Sequence, residues 1–466
     1  MFYTTETFSA IAEHSTALLV VTIVVSTFAF YSHVQVRRVL NSFPLARKEL
    51  GSAYARRNEF LQDPMKAYRE GYERFKGKAF RVTHYEDLTR NLTRINNNLI
   101  SEVEITVDDI IGPCEDWTPH AIYRTCLRIV ATVSGSVFVG PDYCRNEQFI
   151  HDNIHFTESV MGAIHILQRW PGWFRPIAQF FKPERARLAQ SWKHLKSSKQ
   201  LLTPMIQQRR EDVKAGRASY NDMLAWMMAK AEKWEQSDDD LAGSLVQLGV
   251  AATHNTSMHV TQTLYQLAIR PELVYELRQE IRRVIATFNG ELSPVALFEM
   301  KLLDSVMKEA QRLNPTTPSH FHRYVEKDHT LKDGTVLPAG VTIEGIFAPV
   351  LFDPNVFPDP ETFDPYRFLK LRAGQAPDPN HYSNKEQYAF SHATKENLAW
   401  GYGAHACPGR YFANNEIKLI LARMLLRYDI RMPGGSKDAY KPQRHGMGWT
   451  PDLRKPIEFK VVKEGN

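Results

Sequence analysis

Trp400-Gly401-Tyr402-Gly403-Ala404-His405-Ala406-Cys407-Pro408-Gly409-Arg410 holds one cysteine in a glycine-rich loop, and an apolar run follows from Tyr411 towards Leu426. The run predicts a helix that begins just after the loop. Gly401, Gly403 and Gly409 are expected to let the backbone turn tightly and come close to something flat. A thiolate near a helix N-terminus is stabilised by the helix dipole and by backbone N–H groups that lack an intrahelical partner. Cys407 is therefore a metal-ligand candidate. With no partner cysteine nearby it does not suit zinc, which takes about four ligands. Heme iron with one axial cysteine suits it better. The plain alternative is a buried structural cysteine in a glycine turn.

Outward from the loop, three other stretches carry chemistry-bearing residues. Glu309 and Arg312 stand three apart in a predicted helix, Met300 to Leu313, and so share a face. Alone, such a pair is usually a solvated surface pair of small energetic value. Asp364-Pro365-Tyr366-Arg367-Phe368 follows it. A longer helix, Leu241 to Ile269 and ended by Pro271, carries Ala251-Ala252-Thr253-His254-Asn255-Thr256-Ser257 in its middle. So many small and hydroxyl- or amide-bearing side chains are poor helix formers. They are expected to bond back to carbonyls and bend the helix.

Taken together, these motifs resemble the cytochrome P450 superfamily, whose heme loop reads aromatic-x-x-Gly-x-x-x-Cys-x-Gly. Trp400 stands where the family usually has Phe. The run Gly401 to Leu421 is similar to that of ascomycete, ent-kaurene oxidase-like terpenoid monooxygenases. The resemblance implies a mainly α fold with small β-sheets, heme b bound through Cys407, and the loop residues Trp400, Gly401, Gly403 and Gly409 around it. It implies that Glu309, Arg312 and Arg367 form a buried ion cluster beneath the loop, and that His405 and Arg323 contact the heme propionates. It places His254, Asn255 and Thr256 in the oxygen-activation groove, with two departures from the family pattern. His254 replaces an acid, and Asn255 stands where a proton-delivering Thr is usual. The implied reaction inserts one oxygen atom from O2 into a C–H bond. Electrons come from NADPH through NADPH–cytochrome P450 reductase, with cytochrome b5 as a second donor. Lys418, Arg423 and Arg427 form a candidate docking face for an acidic reductase, or else an ordinary solvated helix face.

The 466-residue chain has 43% hydrophobic and 24% charged residues, ample for a folded core. Its net charge of +6 is mildly basic, but no zinc-finger or RNA-binding signature accompanies it, so nucleic acid is not an expected partner. Four cysteines without a CxxC predict a reduced, cytosolic catalytic part. Ser15 to Ser32 is uncharged and apolar, about the length needed to span a bilayer. Glu6 and Glu13 precede it, and Arg37, Arg38, Arg47 and Lys48 follow. A single-pass anchor in the endoplasmic reticulum membrane is expected, with the catalytic domain on the cytosolic side. Residues 1–36 then form the anchor and its flanks, and 37–466 the heme-thiolate domain.

One feature departs from the resemblance. After Phe80-Arg81-Val82 the chain passes to Thr83-His84 and Leu88-Thr89-Arg90-Asn91, where the family has its B helix and B–C loop. Several tens of residues are expected to be missing there, through a true deletion or a mis-assigned splice junction; sequencing the transcript across codons 78–92 distinguishes the two. Two further readings follow: an inactive heme-binding remnant, and a heme-thiolate isomerase or dehydratase that takes no external electrons.

Overall fold

The computed structural model describes residues 92–171, 174–231, 237–445 and 448–463. The anchor, Phe80-Arg81-Val82 and the junction after it lie outside these residues. Among the described residues no helix is long and apolar enough to cross a membrane.

The chain divides into two compact units. The larger is mostly helical: α1 (Leu92–Ile111), α2 (Ile122–Phe138), α3 (Glu147–Gln168), α4 (Lys182–Lys214), α5 (Asp238–Leu267), α6 (Pro271–Thr287), α7 (Lys301–Leu313) and α8 (Arg410–Arg427). In α1 the buried residues Ile95, Leu99, Val103 and Val107 recur every four positions, so one stripe faces the core. α2 is buried nearly all round. It packs against both α1 and α5, while α3 packs on α4 and α5, and α8 on α1 and α5. α5 is therefore the central element. Its 30 residues start at a capping box in which Ser237 and Asp240 exchange bonds, and Asp238, Asp239 and Asp240 fill the first turn. Three carboxylates there suit the positive end of the helix dipole.

In the same unit three antiparallel strands, Thr118–Ala121 (β1), Tyr428–Arg431 (β2) and Pro456–Val461 (β3), line up in the order β1–β3–β2. Phe459 of β3 sits opposite Thr118 on one side and Ile430 on the other. The smaller unit, within the described residues, is Ser319–Ile346. It contains an antiparallel pair, Ser319–Tyr324 with Thr342–Ile346, and a hairpin, His329–Thr330 with Val336–Leu337. Gly334 at φ 84° turns the hairpin, and Gly340 at φ 84° turns the chain again after it.

Two local expectations need correction. Pro271 does more than end the long helix: it is the first residue of α6, where a missing N–H costs nothing. Gly409 sits at φ −87°, a conformation open to any residue, so only Gly401 (φ +75°) and Gly403 (φ +62°) use the freedom expected of the loop glycines.

Candidate heme-thiolate site

The helix expected after the cysteine is α8, running from Arg410 to Arg427. Cys407 lies just before its first turn, half-buried. Burial pushes its thiol pKa up, while the nearby backbone N–H groups of Gly409 and Arg410 and the Arg410 charge pull against it. Arg410 also donates to the Cys407 carbonyl at 2.8 Å and lies over the Tyr411 ring, 4.5 Å from its centre. A β-carbon at Gly401 would stand 2.9 Å from the His405 carbonyl oxygen, so no larger residue fits there. His405 ends a short 3-10 turn, Gly403–His405, and is exposed. Cys114, Cys126 and Cys144 are buried and unpaired, and burial pushes the last two up to about 12. Cys407 is thus the one cysteine of the four that is not fully buried.

Trp400 closes the loop. Its carbonyl accepts the Cys407 N–H at 2.6 Å, and its indole N–H donates to the Phe390 carbonyl at 2.7 Å. Its ring lies 6.0 Å from His259 of α5 and 5.3 Å from Phe390. Asn255 is one turn before His259 on α5. Asn255 and Ala251 are exposed, four apart, whereas Thr256 is only 4% exposed. The polar stretch therefore offers Asn255 and Ala251 to open space and turns Thr256 inward.

The other polar groups of that stretch are taken up within the fold. Ser257 Oγ donates to the Thr253 carbonyl at 2.7 Å and Thr261 to that of Ser257 at 2.7 Å, the back-bonding expected of them. Thr253 donates to Asn153 Oδ1 of α3 at 3.2 Å. His254 has both ring nitrogens committed. Nε2 is 3.0 Å from the Ile154 carbonyl, so it carries the proton, and Nδ1 then accepts from the Tyr123 hydroxyl at 3.2 Å. Burial, against a weaker opposing bond to Ile154, pulls its pKa below the ordinary value and keeps it neutral. This gives His254 the work of tying α5 to α2 and α3, in place of the direct catalytic role expected from its position.

The structure brings Glu309, Arg312 and Arg367 together. The Glu309 carboxylate takes two bonds from Arg312, both 2.8 Å, one from Arg367 at 3.1 Å and one from the Asp364 N–H at 3.1 Å. The remaining guanidinium N–H groups end on carbonyls of Leu351, Pro358, Asp359, Pro360 and Thr362. Glu309 and Arg312 are wholly buried. Arg323 lies in the smaller unit, where it donates to the His322 carbonyl at 2.7 Å.

Sequence reasoning missed a second buried cluster, centred on Asp304. Its carboxylate meets Lys418 of α8 at 2.8 Å, Arg372 at 3.1 Å and the Phe390 N–H at 2.8 Å. Burial alone would raise this acid, but the Lys418 and Arg372 charges outweigh it and hold its pKa low. One turn on, Lys308 donates to the Gln387 and Ala389 carbonyls at 3.1 and 2.9 Å, and burial lowers it to about 7. Asp304 thus joins α7 to the cysteine helix and, through Phe390, to Trp400. Lys418 is 1% exposed, so it cannot belong to a docking face; Arg423 is paired to Asp108 at 2.5 Å. The available signal was a charged residue inside an apolar run, at Lys418 and again at Asp304 and Lys308.

The family profile described as Cytochrome P450 matches residues 84–457, most of the chain. Cytochrome P450 monooxygenase AN1598 of Emericella nidulans is 36% identical over 353 residues, 75% of this chain and 64% of that protein. A cytochrome P450 monooxygenase of Gibberella fujikuroi is 30% identical over 425 residues, 88% of this chain and 93% of that protein. The solved structure of retinoic acid bound cyanobacterial CYP120A1 shares the fold at a TM-score of 0.60. Its identity is 19%, with 80% of this chain and 76% of that chain covered.

Proposed function

Since the chain belongs to the cytochrome P450 family, enzymes whose heme iron carries a cysteine thiolate, we propose that Cys407 supplies that thiolate in a fungal monooxygenase. The substrate is a hydrophobic terpenoid or meroterpenoid of secondary metabolism. The carrying observation is the place of Cys407: it stands immediately before α8, half-buried, with the Gly409 and Arg410 N–H groups and the Arg410 charge favouring its thiolate. That setting fits an iron-bound thiolate, because donors near the sulfur temper its charge, and Gly401 leaves room for close approach. Heme, when bound, supplies the oxygen chemistry.

The chain's own residues do the rest. Trp400 and the Asp304 and Glu309 clusters hold the loop in place. Asn255, beside Ala251 on the open face of α5, positions a water by its amide, since it cannot itself exchange a hydroxyl proton. His405, exposed at the end of the short turn in the cysteine loop, would pair with a heme propionate. NADPH–cytochrome P450 reductase delivers the electrons, and the Ser15–Ser32 anchor keeps the domain at the endoplasmic reticulum surface. The likeness to ascomycete terpenoid enzymes in the Gly401–Leu421 run supports the substrate class.

The test is spectral and then kinetic. The reduced, carbon-monoxide-bound protein should show the red-shifted Soret band of thiolate ligation, and Cys407→His should lose it. Turnover should require both NADPH and the reductase. A histidine-type spectrum in the intact protein would sink the assignment. Heme uptake without turnover would favour the remnant, and turnover without electrons the isomerase or dehydratase.

A further inference from the structure

On the side of α3 that faces α4, four residues of metal-ligand type converge that no part of the heme site uses. His151 and His155 stand four apart on α3, so their side chains share a face. Between them in sequence is Asp152, buried, and across from it on α4 is His194, also buried. Both His151 and His194 aim Nδ1 at the same oxygen, Asp152 Oδ1, at 3.4 and 3.0 Å. One ligand atom from each of the three residues lies within 4.8 Å of the others. The other Asp152 oxygen is held separately by Gln148 at 2.9 Å. His155 adds a fourth ring, 4.4 Å from that of His151 and 6.2 Å from that of His194. Its Nδ1 is 2.8 Å from Glu158 Oε2, which leaves Nε2 for a ligand.

We infer that His151, Asp152 and His194, joined by His155 as a fourth donor once its neighbouring ring turns towards them, form a site for a divalent zinc ion that cross-links α3 to α4. Four donors of imidazole and carboxylate type suit zinc, which is bound tetrahedrally at about 2.0–2.2 Å. Donors on such a tetrahedron stand about 3.3 Å apart, close to the 3.0 and 3.4 Å separations here. The supporting partners also match: a ligating histidine commonly donates its other N–H to a carboxylate, as His155 does to Glu158, and a ligating carboxylate is itself hydrogen-bonded, as Asp152 is by Gln148. The ordinary alternative is a buried aspartate that simply accepts from two imidazoles. It leaves the i, i+4 placement of His155 and its glutamate partner without a use. An ion here would also fix the turn of α3 whose next residues, Asn153 and Ile154, hold Thr253 and His254 of α5.

The experiment uses the full, heme-loaded chain with any affinity tag removed, stripped with a chelator and titrated with zinc chloride against a chromogenic zinc indicator. The heme spectrum is followed throughout as the control for folding. The expected result is one zinc per chain in excess of a His151→Ala/His194→Gln double variant. His151→Ala alone, at an exposed position, should weaken binding at least about tenfold with an unchanged heme spectrum. The unfolding midpoint of the parent, and not of His151→Ala, should rise with added zinc. If the parent and His151→Ala bind zinc with the same stoichiometry and affinity, the inference is overturned. Should the double variant fail to load heme, the comparison with His151→Ala still decides it.

Discussion

Asp304 shows how much of the Cys407 loop's position rests on residues outside the loop. Its carboxylate is ion-paired with Lys418, and it also fixes the Phe390 N–H beside Trp400. Asp304→Asn would leave buried Lys418 without its ion-pair partner and Arg372 with Glu386 alone, a loss of about 3–5 kcal/mol. Chemical denaturation should report that loss, and the reduced, carbon-monoxide-bound spectrum should show a smaller thiolate fraction. Unchanged values of both would mean that α8 is held by apolar packing alone. Asn255 is a residue-scale question of another kind, because it faces open space while Thr256 is buried. Asn255→Thr should keep activity and raise the share of NADPH electrons recovered in product. Asn255→Leu should lower that share, as an apolar side chain holds no water. Equal coupling in Asn255→Leu and the parent would move the proton path to another group.

At the scale of elements, α5 is set by how closely its neighbours approach it. A β-carbon at Gly249 would lie 2.3 Å from Asn153 Oδ1 and 2.8 Å from its Cγ, so α3 and α5 touch across a glycine. Gly249→Ala gains up to about 1 kcal/mol of helix propensity, against about 1–3 kcal/mol for overpacking. Displacing Asn153 also breaks its bond from Thr253. A net loss is expected, read as a lower unfolding midpoint; a rise would show that Asn153 can swing away freely. Within α8, Glu416 is fully buried beside Ser134, whose hydroxyl donates to it at 2.6 Å. Burial lifts its carboxyl from 4.5 to about 8. The native group therefore keeps its proton at neutral pH while the unfolded one has lost it. Folding takes up a proton, so stability falls as pH rises from about 4.5 to about 8 and levels off above that. Glu416→Gln should flatten this dependence, most visibly as a smaller drop in midpoint between pH 6 and pH 8.

For the whole molecule, the proposed N-terminal anchor would set the side of a membrane on which the described helices lie. The uncharged Ser15–Ser32 run with basic residues after it argues for a cytosolic domain. Protease added to sealed microsomes should digest the chain without detergent. Protection released only by detergent would reverse the orientation. The three cysteines buried in the larger unit are free thiols, so thiol reagents should find them only after unfolding.

How much of this was legible in the chain depends on the distance over which each feature is decided. The cysteine loop, the helix after it and the Glu309–Arg312 pair are local. Glycine positions, an apolar run and a three-residue spacing are enough to specify them, because backbone sterics and helix geometry act over a few residues. Arg367 could be added because the motif resemblance supplied the long-range partner that spacing alone does not. The Asp304 cluster, the two bonds of His254, the inward turn of Thr256 and the meeting of His194 with His151 and Asp152 were decided only by tertiary structure. Periodicity tells which residues share a face of a helix. It does not tell which face of another helix will lie opposite, and a buried charge or imidazole takes its role from the partner it meets there.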